Sequence, residues 1–156
     1  MKTKLFIQNS RQSCKKMLDL LNQKGISFEK INLSSNYMSY DDFKKILFLI
    51  DGDSLSLVAL NSKEAKKRLE EDPHYFEDMT MRQLYYALMA EETMMKTPIL
   101  IHNNKVAIGY NEELLQPILM TRRERKDRFD KILNQARKHE DAAGKYKVKE
   151  QELIMS

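Results

Sequence analysis

The residues best suited to covalent chemistry lie near the N-terminus, where Cys14, the one cysteine in the 156-residue sequence, follows Arg11 and precedes Lys15. A thiolate can attack an oxyanion or a disulfide, and neighbouring cations favour the thiolate form. A single cysteine cannot form an intrachain disulfide. If the fold brings Lys96 to Arg11 and Lys15, the three cations would form an anion pocket. A lone-thiol reductase is therefore one possible function.

A second interpretation of Cys14 is structural. Apolar residues recur at helical spacing at Cys14, Met17, Leu18 and Leu21, which predicts an amphipathic helix with the sulfur on its buried face. A cysteine buried in apolar surroundings is inert. The alternative is an accessible thiol that is glutathionylated or forms intermolecular disulfides.

Other kinds of site find little support. His74, His102 and His139 have no metal-ligand spacing, and four glycines make a phosphate-binding loop improbable, so we expect no metal or other cofactor. No apolar run approaches the roughly 20 residues of a membrane span. The N-terminus, MKTKLFIQNS, does not resemble a signal peptide. We expect a cytoplasmic protein with no membrane contact.

Positive charge is concentrated at the C-terminus. Residues 122–156 carry 11 basic and 7 acidic side chains, whereas residues 1–121 carry 16 of each. Such a segment is typical of contacts with nucleic acid or an acidic protein surface, but it also fits a solvated helix with a frayed end.

The N-terminal third alternates strand and helix patterns. Lys4–Gln8 is a short apolar strand, the helix of Cys14 follows it, and Gly25 lies where a helix C-cap is expected. Ile26–Leu33 alternates apolar and polar residues, which predicts a second strand. A helix between two strands implies parallel pairing with a right-handed crossover.

The middle of the chain is predicted to be helical. Ser39, Ser62 and Thr80 are candidate N-caps, with capping boxes expected for Ser39 with Asp42 and for Thr80 with Gln83. Residues 54–60 are ambiguous. The pair Met94-Met95 is interpreted as a candidate exposed contact for a partner.

Strand patterns return at Pro98–Ile101 and Lys105–Ile108, joined by the turn-forming pair Asn103-Asn104. Asn111 is predicted to cap the next helix. Thr121 and Glu124 form a further capping box before a helix to about residue 141, with an apolar stripe. The stripe consists of Phe129, Ile132, Leu133 and Ala136.

These elements predict an α/β protein with a thioredoxin-like fold, β-α-β followed by β-β-α, with a helical insertion and a C-terminal helical extension. The predicted organisation is a thioredoxin-like domain of residues 1–34 plus 97–121, a helical insertion of residues 35–96, and a basic helix and flexible tail of residues 122–156.

Three segments strengthen this prediction because they resemble the Spx and ArsC-type arsenate reductase families. KLFIQNSRQSCKK resembles the first strand and cysteine loop, GISFEKINL the second strand, and TPILIHNNKVAIGYNEELL the hairpin and Gly-Tyr-Asn turn. The resemblance covers roughly residues 3–135. It implies a cis peptide bond before Pro98, which would face the cysteine loop.

The chain departs from the family pattern where its chemistry resides. In Spx proteins the loop holds Cys-x-x-Cys, and in ArsC-type reductases the first of these positions is the nucleophile. Here that position is Arg11 and the second is Cys14, while Thr97 replaces the arginine before the hairpin proline. We therefore interpret Arg11, Cys14, Lys15, Thr97 and Pro98 as a remnant of the redox loop without a catalytic residue.

The resemblance then implies a transcription regulator. Spx proteins bind the C-terminal domain of the RNA polymerase α subunit and alter bacterial promoter choice under stress. The corresponding contact would be the turn Asp51, Gly52 and Asp53, although Gly52 could equally be a simple helix C-cap. The alternatives are a glutaredoxin-assisted reductase using Cys14, or a scaffold that binds another protein.

The C-terminal helix has two interpretations. Five cations within seven residues could make weak or indirect, salt-sensitive contact with DNA phosphate. The alternative is a solvated helix packed by Phe129 and Leu133. The cations are Arg122, Arg123, Arg125, Lys126 and Arg128.

Overall fold

The computed structural model describes residues 3–50 and 53–142, with side chains described as far as residue 139. The chain divides into two compact units, with the boundary between residues 118 and 119. The first contains the sheet and most of the helices.

The first unit is built on a four-stranded sheet in the order β2-β1-β3-β4. Its strands are β1 (Lys4–Ile7), β2 (Glu29–Asn32), β3 (Ile99–His102) and β4 (Lys105–Ile108). β1 pairs parallel with β2 and antiparallel with β3, which pairs antiparallel with β4. The thioredoxin-like prediction is confirmed.

The helices of this unit follow the predicted order. They are α1 (Gln12–Gln23), α2 (Tyr40–Leu49), α3 (Lys63–Glu71), α4 (Met81–Ala90) and α5 (Glu112–Leu119), with short 3₁₀ turns at Ser54–Leu57 and Glu92–Met94. The second unit contains α6 (Arg122–Ala142).

Both faces of the sheet are buried. Phe6, Ile99 and Ile101 belong to one core cluster with residues of α2, α3 and α4. Because successive strand residues point to opposite faces, Leu5 and Leu100 face the other side, and both are fully buried. A sheet covered on both faces holds the ends of its strands rigidly, including the end of β1 that leads into the candidate site.

Helix caps largely follow the predictions. Ser62 caps α3, and Thr80 forms a reciprocal capping box with Gln83. The Ser39 hydroxyl accepts the Asp42 N–H at 3.1 Å, but the Asp42 carboxylate bonds to Lys4 of β1, at 3.0 and 3.1 Å. That carboxylate ties α2 to the sheet.

The turns also follow their residue types. Gly25 and Gly109 adopt φ values of +67° and +81°, and Asn103 and Asn104 have φ values of 50° and 61°. Left-handed backbone of this kind favours glycine and asparagine, which explains why these residues end α1 and β4 and connect β3 to β4.

Two expectations need correction, and one open assignment is resolved. β2 begins at Glu29 rather than Ile26, because its pairing with the four-residue β1 starts at Lys4. The ambiguous residues 54–60 contain a 3₁₀ turn, after which Val58 bridges Met95. The pair Met94-Met95 is buried, with 1% and 0% exposure, so its proposed role as an exposed contact is wrong.

Candidate functional site

The candidate site forms where β1 leads into α1. Ile7 is buried at the end of β1, and Ser10 turns the chain with a φ of 64°. Cys14 lies in the first turn of α1 with 2% of its surface exposed, and its Sγ accepts the Gln8 N–H at 3.5 Å. The prediction that Cys14 faces the core is confirmed.

Arg11 occupies the N-cap position of α1, but its side chain bonds elsewhere. Nη1 donates to the Met95 carbonyl at 3.1 Å, and Nη2 donates to the Thr93 carbonyl at 3.0 Å. The guanidinium is rigid and planar, so two acceptors fix its direction. The residue at the expected nucleophile position therefore holds the loop against the segment before β3.

Two further side chains at the junction of β1 and α1 donate to the same segment. The Gln8 amide bonds to the carbonyls of Glu92 and Met95, and the Ser13 hydroxyl donates to the Thr97 carbonyl at 3.4 Å. We call these donors, together with Arg11, the loop clasp. The clasp supplies hydrogen-bond donors to these backbone carbonyls from residues 8, 11 and 13, at the junction of β1 and α1.

The segment that the clasp binds ends in the predicted cis Thr97–Pro98 bond. Both residues are buried. Among the described residues, the Thr97 hydroxyl oxygen is the one buried side-chain oxygen or nitrogen atom without a hydrogen-bond partner. The Pro98 carbonyl accepts the Gly109 N–H at 2.7 Å, which ties the end of the hairpin to this segment.

A small cavity opens beside the loop. Its volume is about 270 Å³, and Arg11, Cys14 and Lys15 contribute to its lining together with Asn9, Ser10 and Gln12. Lys96 is exposed and is not among the lining residues. The cavity thus contains two of the three cations expected for an anion pocket, and the guanidinium of one of them bonds to backbone carbonyls.

Of the turn expected to contact polymerase, Asp51 and Gly52 lie outside the described residues. Asp53 caps the 3₁₀ turn that follows, where its carboxylate accepts the Leu55 N–H at 2.9 Å. The contact role of these three residues stays a prediction.

The five cations of the C-terminal helix are all exposed. Thr121 and Glu124 form the predicted reciprocal cap, at 3.1 and 3.3 Å. Phe129 and Leu133 have 60% and 37% of their surfaces exposed. The solvated, packed helix and the contact with DNA both stay predictions.

Within residues 3–50 and 53–142, the structure has no group of three His, Cys, Asp or Glu residues that could hold a metal ion. No helix within these described residues combines the length and the hydropathy needed to cross a membrane.

Sequence reasoning missed two features. The roles of Gln8 and Ser13 in the loop clasp depend on contacts more than 80 residues away, although a polar residue directly after an apolar strand was a weak signal.

The second missed feature is a groove of about 370 Å³ between the end of α4 and Tyr37, which is lined by Tyr85 and Tyr86. Burial raises the pKa of Tyr85, whose hydroxyl donates to the Met38 carbonyl.

The sequence comparisons point to one family. A family model described as the ArsC family matches residues 6–118. The global transcriptional regulator Spx of Staphylococcus aureus is 25% identical over 115 residues, covering 74% of this chain and 85% of that protein. Spx of Streptococcus mutans is also 25% identical over 115 residues, covering 74% and 81%.

Solved structures show the same fold. An arsenate reductase from Vibrio cholerae superposes with a TM-score of 0.63 at 17% identity, covering 76% of this chain and 98% of its own. An ArsC family related protein from Bacteroides fragilis has a TM-score of 0.63 at 15% identity, covering 76% and 99%.

Proposed function

Because the chain belongs to the ArsC family, we propose that it is a transcription regulator of the Spx kind, which binds the C-terminal domain of the RNA polymerase α subunit and has no reductase activity of its own. The curated relatives named above are global transcriptional regulators, whereas the Vibrio cholerae structure is an arsenate reductase. The residues of the candidate site favour the regulator.

The observation that carries the proposal is the position and bonding of Arg11. Arsenate reduction of the ArsC type needs a thiolate that forms a covalent adduct, and a guanidinium cannot form one. Arg11 also donates to two carbonyls of the segment before β3, which leaves less of its charge available for an oxyanion. Cys14, one turn further along α1, has 2% exposure.

The surface before the predicted contact turn supports a binding role. Phe48, in the last turn of α2, is 82% exposed and precedes Asp53 by five residues. Aromatic side chains, phenylalanine included, are enriched in protein interfaces relative to the rest of the surface. We therefore propose Phe48 and residues 51–53 as the polymerase contact.

This proposal is tested by titrating the full-length protein with the purified C-terminal domain of the polymerase α subunit in a calorimeter. We expect a dissociation constant below about 50 μM and a loss of at least tenfold in affinity for Phe48→Ala, about 1.4 kcal/mol. Leu114→Ala is the matched control, since Leu114 is an exposed apolar side chain on α5 with 65% exposure. No binding at tens of micromolar would refute the contact.

A second candidate function is a thiol reductase that uses Cys14. The observation in its favour is that Cys14 lines the 270 Å³ cavity together with Arg11 and Lys15. This function requires a mixed disulfide between Cys14 and glutathione during incubation with glutathione disulfide, visible as a mass increase that Cys14→Ser abolishes. The regulator proposal predicts an unchanged mass for the folded protein.

A further inference from the structure

The first unit contains a groove lined by aromatic rings at the C-terminal end of α4. Its volume of about 370 Å³ is in the range of small-molecule sites. Five of the described residues line it, and none of the five is charged. They are Tyr37, Tyr85, Tyr86, Met89 and Ala90. We call it the tyrosine groove.

Two of its rings meet at a steep angle. The Tyr85 hydroxyl donates to the Met38 carbonyl, and its ring contacts Tyr40 and Phe43, with centroids 5.1 and 5.3 Å apart. The Tyr86 ring lies against this fixed ring at 5.5 Å and 64°. A flat ligand can stack on only one of two such rings, whereas a rounded ligand can contact both. The geometry therefore favours a rounded ligand.

The charge environment of the groove favours a cation. The face of a tyrosine ring attracts a cation within about 6 Å of its centroid, and Arg82 already lies 4.7 Å from the centroid of Tyr40 in the same aromatic cluster. Met89 and Ala90 are in the last turn of α4, at the negative end of the helix dipole, and this turn contains no basic residue. Glutamates follow at positions 91 and 92.

From these observations we propose that the tyrosine groove binds a small quaternary ammonium compound. A quaternary nitrogen is positively charged but has no N–H, so it needs no hydrogen-bond acceptor from aromatic and apolar side chains. A primary ammonium would need acceptors for three N–H groups. A calcium or magnesium ion would need carboxylates, which none of the five lining residues has. The proposal goes beyond the polymerase contact at residues 48–53 and does not depend on it.

Three probes separate the charge of the ligand from its shape. The full-length protein is titrated with choline, with ethanolamine, which keeps the charge and lacks the methyl groups, and with 3,3-dimethylbutan-1-ol, which keeps the shape and lacks the charge. The tyrosine ring signals are followed by NMR. We expect choline to bind with a dissociation constant below about 1 mM, and the other two probes to bind at least about tenfold more weakly.

Substitutions in the groove test which rings contribute. Tyr86 and Tyr37 are 59% and 77% exposed, so Tyr86→Leu and Tyr37→Leu should both leave the protein folded, which circular dichroism checks. Each should weaken choline binding by at least about fivefold, whereas Tyr86→Phe keeps the ring and should change it by less than about twofold. Tyr110→Leu is the matched control and should have as little effect, since Tyr110 is outside the groove and its ring has Lys16 Nζ at 5.9 Å.

Several results would overturn the proposal. Choline that causes no saturable change up to about 20 mM would show that the groove has no such ligand. Equal affinity for 3,3-dimethylbutan-1-ol would show an apolar site without a preference for charge. Equal losses in Tyr86→Leu and Tyr110→Leu would show that any binding occurs elsewhere.

Discussion

The loop clasp and helix α6 use arginine in opposite ways. In the loop, the Arg11 guanidinium donates to the carbonyls of Thr93 and Met95, and Cys14, three residues later, is buried. On α6, Arg122, Arg125 and the other cations are exposed beside an exposed apolar stripe. The same residue type therefore bonds to the backbone in one region and is exposed to solvent in the other.

This difference between the loop clasp and helix α6 indicates where the chain can bind other molecules. Backbone carbonyls of the segment before β3 already have donors from the loop clasp, so these donors serve the fold. Because the cations and large apolar side chains of α6 are exposed, we expect their substitution to change the unfolding free energy little. Four predictions can break or sharpen this contrast.

The largest contrast is expected from the same substitution made in both regions. Leu21 is fully buried on α1, so Leu21→Ala should lower the free energy of unfolding by about 2–5 kcal/mol. Leu133→Ala on α6 should lower it by about 0.5 kcal/mol or less. Urea denaturation followed by circular dichroism measures both. Similar losses would show that α6 is also part of a core.

A smaller effect is expected for the loop clasp. Arg11→Ala removes two hydrogen bonds from a charged donor at a half-buried position, and should cost about 1–2 kcal/mol of unfolding free energy. Lys15→Ala, an exposed cation on the same helix, is the control and should cost less than about 0.5 kcal/mol. If both variants unfold at the same urea concentration, the clasp does not stabilise the loop.

Accessibility of the thiol gives the third contrast. Because Cys14 has 2% exposure, alkylation by iodoacetamide should be at least about tenfold slower in the folded protein than in urea. Arg11→Ala should speed this reaction by weakening the clasp, whereas Lys15→Ala should not. Mass spectrometry over time measures the rates. Equal rates in native buffer and urea would mean that Cys14 is accessible.

The smallest effect concerns pH. A hydrogen bond of 2.9 Å to the Glu77 carboxylate, reinforced by its charge, raises the pKa of His74 above its ordinary value of about 6.5. A raised folded pKa stabilises the fold below the unfolded pKa, and this contribution is lost as the pH rises through the folded pKa. An NMR titration of His74 should therefore show a higher pKa than in Glu77→Gln. The same pKa in both would contradict the ion pair.

Much of the fold could be predicted from local sequence. The spacing of Cys14, Met17 and Leu21 predicted both the helix and its buried face, and Asn103-Asn104 predicted the β3–β4 turn. The length of β2 could not be predicted, because it depends on pairing with β1. The burial of Met94 and Met95 likewise depends on distant packing.

The candidate site was predicted only in part. The positions of Arg11 and Cys14 and the cis bond before Pro98 followed from family resemblance, and the cis bond is confirmed. The partners of Arg11 are more than 80 residues away in sequence, so local patterns carry no signal for them. The exposure of Phe129 also could not be predicted, since an apolar helical stripe usually packs against a core.

The central claim is that this chain acts by binding because Arg11 occupies the position of the nucleophile. The most direct test is turnover of arsenate, and separately of a small disulfide, with glutathione and glutaredoxin, using the Vibrio cholerae arsenate reductase as the active control for arsenate. The account predicts that the wild-type protein and Cys14→Ser both stay at the rate of the buffer blank. Wild-type turnover that Cys14→Ser abolishes would contradict it.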